Sequence, residues 1–243
     1  MKIHYIIFVL LFICTTSNAM FNEASLELGT KYEEVGEWEK AAENYKYFLI
    51  KNFNRPVPLI IGTFKLARTL KITGKENESK EKFEEVITLY NKYKNLVAPL
   101  TIEYVANAKF ALNDELFSVA TLSLKDKNMP LNAFIKAREE ALNSMKKGYD
   151  EIIQLNVREW TMASLFKIGL AYEITGYTIL SFPLPEEEKD IKKEEFFLNL
   201  RNKGLPYEDR AITFYKDIIT LNKKYDVGSE WAMLATQRLE NLK

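Results

Sequence analysis

Apolar and small side chains at 24, 28, 29, 32 and 35 recur at the spacing of one face of an α-helix. Gly36 follows, the usual left-handed stop. A second amphipathic run covers 38–51, with Ala41, Tyr45, Phe48 and Leu49 on one face. Asn54, Pro56 and Pro58 then break the chain. The pattern repeats, with a helix over 60–72, a stop at Gly74 and a helix over 76–93. Gly36-x4-Ala41-x3-Tyr45 aligns with Gly74-x4-Ser79-x3-Phe83 at an offset of 38 residues. A helical-hairpin unit of about 34 residues with a longer loop has that period.

The second half keeps the rhythm less strictly. Residues 100–115 predict the first helix of a third hairpin, with Ala108 and Ala111 at the small and large positions; 116–124 can extend it. A polar break over 125–128 follows, then Asn128 as N-cap, Pro130 in the first turn and a helix over 131–155. Residues 160–176, WTMASLFKIGLAYEITG, set Gly169, Tyr172 and Gly176 at the spacing of Gly29, Tyr32 and Gly36. The partner of that fourth first helix is delayed. Pro183 and Pro185, a charged helix over 186–201, and a break at Gly204 and Pro206 precede Ala211 and Tyr215. Residues 177–205 therefore read as an insertion, and 229–242 as a capping helix.

Four second-helix cores carry one signature: YKYFLI from Tyr45, FEEVIT from Phe83, YDEIIQ from Tyr149 and YKDIIT from Tyr215. Small residues at Gly29, Ala67 and Gly169, and at Ala41, Ser79 and Ala211, let two helices approach; Tyr32, Leu70 and Tyr172 fill the space between. No single hairpin buries its own apolar face, so neighbours must stack.

This small–large–small code resembles the tetratricopeptide repeat. It is carried by Gly29, Tyr32, Gly36, Ala41 and Tyr45, by Ala67, Leu70, Gly74 and Phe83, and by Gly169, Tyr172, Gly176, Ala211 and Tyr215. The resemblance implies an all-α fold: a right-handed superhelical solenoid of about four hairpins over 20–243, with an insertion in the last and a C-terminal cap. Over 100–243, LSLKDKNMPLNAF, EWTMASLFKIGLAYE, LPYEDRAITFY and EWAMLATQRLENL resemble exported tetratricopeptide proteins of the myxobacterial gliding-motility and envelope group. That resemblance implies a periplasmic or outer-membrane-associated scaffold.

Composition narrows the chemistry. Lys+Arg and Asp+Glu are both 34, so the basic excess of a nucleic-acid surface is missing. Lys2, the apolar run 5–13 and Ser17-Asn18-Ala19 form a signal-peptide pattern over 1–19, with cleavage after Ala19. A retained anchor and lipoprotein processing at Cys14 are the alternatives. Cleavage would remove the sole cysteine, Cys14, and the sole histidine, His4, and with them thiol and imidazole chemistry. The remaining acids, Glu33/Glu34, Glu139/Glu140, 186–188 and Glu194/Glu195, sit next to lysines and read as solvated faces. No phosphate loop, dinucleotide turn or nucleophile elbow is present. Trp38, Trp160 and Trp231 read as packing residues near helix starts.

The expectation is therefore a non-catalytic envelope scaffold that binds protein partners and needs no cofactor, metal or small-molecule substrate. In repeat register the inward wall comprises Leu26, Thr30 and Glu33; Phe64, Arg68 and Lys71; and Phe166, Leu170 and Glu173. A glycan-binding solenoid and a carboxylate hydrolase are the competing classes. The register makes a direct prediction: Gly169→Leu and Ala211→Glu each lower the melting temperature, at a cost of about 1–3 kcal/mol or more. Thermal denaturation unchanged by either would show the register to be wrong.

Overall fold

The computed structural model describes residues 23–122, 129–184, 193–226 and 228–242. All regular structure among them is helical. The chain divides into two compact units, Met1–Lys109 and Phe110–Lys243. The expected signal segment 1–19, Asn128 and the acids of 186–188 lie outside the described residues. No described helix is long and apolar enough to cross a membrane.

The first unit holds α1 (23–34), α2 (Trp38–Lys51), α3 (Pro56–Ile72) and the opening of α4 (Glu76–Thr121). Gly36 and Gly74 end α1 and α3 at φ +76° and +74°. Each turn closes with the same two bonds. Gly36 N–H donates to Glu33 and Glu37 N–H to Tyr32; Gly74 N–H donates to Lys71 and Lys75 N–H to Leu70. That pairing satisfies the last carbonyls of a helix and needs a residue free of Cβ strain. Pro56 and Pro58 do not break the chain as expected but open α3, where the missing N–H of a first-turn proline costs nothing. Ala41, Tyr45, Leu66 and Leu70 form a buried cluster, with Leu26, Tyr32, Ala42 and Leu49 packed on it.

The gap expected after residue 93 is only a kink. Tyr93 alone leaves helical geometry, at φ −114° and ψ 15°, and α4 continues through Pro99 to Thr121.

The second unit holds the rest of α4, then α5 (Leu131–Ile153), α6 (Arg158–Leu180), α7 (Lys193–Tyr225) and α8 (Glu230–Asn241). Pro130 stands at the N-cap of α5, one place before the first turn expected for it. Ser229 caps α8, its hydroxyl accepting from the Trp231 N–H. Arg138 is buried on α5 with no carboxylate partner among the described residues. Nη1 donates to the Ala120 carbonyl at 2.5 Å and Nη2 to that of Leu122, so one guanidinium closes the C-terminal end of α4. Burial lowers its pKa, but a cation at a helix C-terminus is favourably placed.

Two expectations fail in this unit. Gly176 does not stop α6, and Gly204 and Pro206 do not interrupt α7. A Cβ on Gly176 would lie 3.2 Å from the Gly204 carbonyl oxygen, and one on Gly204 would lie 2.7 Å from Leu180 Cγ. The two glycines are where α6 and α7 meet backbone to backbone. Phe196, Leu200, Gly204, Tyr207, Ala211, Tyr215 and Ile218 form one buried stripe at three- and four-residue steps, straight through both supposed breakers. Residues 177–180 and 193–205 are therefore extra turns of α6 and α7.

Arg138→Ala removes both bonds to the end of α4 and leaves buried carbonyls unmet. A loss of at least about 2 kcal/mol is expected in chemical denaturation. An unchanged midpoint would show that the guanidinium does not hold α4 to α5.

Candidate functional site

Each second helix lays its signature aromatic against a first helix. Tyr45, Phe83, Tyr149 and Tyr215 are all buried, as are Phe48, Val86, Ile152 and Ile218 three residues on. Opposite them the first helices give way. A Cβ on Gly29 would stand 2.5 Å from the Tyr45 ring, and one on Gly169 would stand 3.0 Å from the Tyr215 ring. The third hairpin corrects the expected register. There Phe110 lies 5.5 Å from Tyr149, matching Phe64 on Phe83 at 6.0 Å and Phe166 on Tyr215 at 5.8 Å. The residue three places after Phe110 is Asn113, and it rather than Ala108 holds the small-residue position. Asn113 crowds Gly148 and donates from Nδ2 to the Met145 carbonyl at 3.1 Å. Trp160 and Trp231 join this packing, 5.1 Å from Phe110 and 5.5 Å from Phe166 respectively.

A buried tyrosine brings a hydroxyl that needs a partner. Tyr215 donates to Glu173 Oε2 at 2.6 Å; the Arg238 guanidinium holds the other oxygen at 3.0 Å. The Tyr45 hydroxyl lies 3.4 Å from Thr30 Oγ1, and nearby Glu33 takes Lys65 Nζ at 3.0 Å and the Thr69 hydroxyl at 3.3 Å. Lys167 Nζ lies 3.5 Å from Asp114, whose charge acts on Tyr149. Phe83 has no hydroxyl, and at the place of Glu33 and Glu173 its hairpin carries an exposed lysine, Lys71. Burial first, then these neighbouring carboxylates, raise the pKa of Tyr215 and Tyr149; burial likewise dominates the rise at Tyr45. All three stay neutral.

The nine inward positions therefore divide. Phe64 and Phe166 are 3% and 7% exposed and belong to the hairpin cores, so they are not the surface anchors expected of them. Glu33 and Glu173 are held in ion pairs, and Thr30 bonds the Leu26 carbonyl. Leu26, Arg68 and Leu170 are half-buried, and Lys71 is exposed. Those two rings are therefore not available as stacking platforms for a sugar. Among the described residues no three Asp, Glu, His or Cys side chains converge as a metal site.

An open cleft lies elsewhere. A cleft of about 290 Å³ lies between α5 and α7, with Ile135 and Pro206 as its apolar part. Glu139, Asn202, Lys203, Tyr207 and Arg210 supply its polar part. Tyr207 donates to Glu139 Oε1 at 2.8 Å, and the Arg210 guanidinium sits 5.5 Å over the Tyr172 ring. Sequence reading placed Glu139 on a solvated face and did not connect it with Tyr207, 68 residues on.

Comparison with protein-family models and with curated protein sequences finds no match.

The tyrosines give a test. Tyr215→Phe strips a hydrogen bond from a carboxylate and is expected to cost about 1–2 kcal/mol. The Tyr149 hydroxyl has no hydrogen-bond partner among the described residues, so Tyr149→Phe is expected to be neutral or stabilising. Equal losses in urea denaturation would contradict this assignment.

Proposed function

We propose that the chain is a tetratricopeptide-like, right-handed solenoid of four hairpins capped by α8, acting as a non-catalytic scaffold for protein partners at the cell envelope. One observation carries the reading. The same packing device, an aromatic of the second helix laid on a first helix, recurs in four hairpins. The conspicuous buried-side acids Glu33, Asp114 and Glu173 are tied to Lys65, Lys167 and Arg238. Charge of this kind holds neighbouring helices and leaves surface, rather than a reaction centre, as the means of action. Stacked hairpins offer broad walls suited to protein segments. The export signal read over 1–19 supports the envelope location.

A photoreactive residue placed at Arg68 or Leu170 in the native cell tests the reading. Discrete protein adducts are expected from these half-buried first-helix positions and not from Lys46, exposed on α2. Adducts at none of the first-helix positions, or recovery of the protein from the cytoplasmic fraction, would overturn the proposal.

A further inference from the structure

We infer that the cleft between α5 and α7 binds an acidic segment in polyproline-II conformation, with two carboxylates three residues apart. The inference rests on the protein-binding reading above and names the place and chemistry of one contact. Two cations frame the cleft, Lys203 and Arg210. Neither has a carboxylate partner among the described residues. Arg210 is already oriented by the face of Tyr172, so little side-chain freedom is lost when it takes a ligand.

Arg210 follows Lys203 by seven positions on α7, two helical turns, which sets them about 10 Å apart along the axis. A polyproline-II segment repeats every three residues and rises about 9 Å in that interval, so acids at i and i+3 leave on one side at the matching distance. A β-strand would turn those two side chains to opposite faces.

The space between the cations suits such a backbone. Polyproline II has no internal hydrogen bonds, so its N–H groups need acceptors. Pro206 has no N–H to give the Asn202 carbonyl, the bond its place in α7 would otherwise make. Glu139 keeps Oε2 beyond the oxygen already taken by Tyr207. Ile135 and Pro206 offer an apolar surface for proline rings.

Fluorescence anisotropy with the purified chain tests this. The probe is a labelled peptide in which two aspartates flank one proline and one alanine, so that a ring and a backbone N–H both lie between the acids. Saturable binding is expected, weakened about tenfold by Arg210→Gln or by Lys203→Gln, each of which removes one charge-assisted contact from the rim. A peptide with the two aspartates adjacent, of equal charge, is expected to bind more weakly than the spaced one. Unchanged melting temperatures in both variants would show that the fold is intact. No saturable binding, equal binding of the two peptides, or binding indifferent to Arg210→Gln would overturn the inference. If photo-crosslinked partners persist while the peptide fails, only this inference falls; if no partner is crosslinked at all, the scaffold reading falls with it.

Discussion

Tyr45 lies on Gly29 and Tyr215 lies on Gly169, each ring occupying the space that a Cβ would take. Much else follows from that contact. The absent side chain lets the second helix approach, and the approach buries the ring. Burial carries the phenol oxygen away from water, and in the first and fourth hairpins polar groups meet it. Thr30 and Glu33 stand there in the first hairpin, Glu173 in the fourth. A half-buried carboxylate in turn needs a cation, and the following first helix or the cap supplies it as Lys65 or Arg238. A packing choice inside one hairpin thus becomes an electrostatic tie to the next helix. Phe83, which needs no partner, has no acid at the equivalent place.

Repeat spacing made the aromatic positions, the two glycine stops and the bounds of α2 legible in the sequence. These depend on local rules: helical period, left-handed glycine and the size of neighbours at three and four residues. The third hairpin was misaligned because its small position is filled by Asn113, a residue that reads as polar. A tetrapeptide of bulky residue, any residue, aliphatic or Leu, then the small position would have located it. LELG, FKLA, FALN and FKIG end at Gly29, Ala67, Asn113 and Gly169.

Gly176, Gly204 and Pro206 misled for a different reason. Local propensity marks them as breakers, but the buried stripe from Phe196 to Ile218 outweighs a weakened helix. The glycines are needed because two backbones touch there. The α5–α7 cleft was invisible because Glu139 and Tyr207 share no local pattern, and their meeting depends on the length of the fourth hairpin. The first-helix wall was partly legible: its positions were found, but Phe64 and Phe166 face the core. An aromatic in a repeat consensus is packing material before it is a ligand platform.

For function, the consequence is a division of labour. First helices are tied to each other by Glu33–Lys65 and Asp114–Lys167 and to α8 by Glu173–Arg238, while Lys203 and Arg210, without a carboxylate partner among the described residues, sit between α5 and α7. Everything rests on the ring-over-glycine contact, and a size-swap cycle addresses it directly. Gly169→Leu, Tyr215→Ala and the double variant are compared by chemical denaturation. The contact predicts that the double variant is more stable than the sum of the single losses by at least about 1 kcal/mol, because leucine fills the space the ring vacates. Additive losses would contradict it.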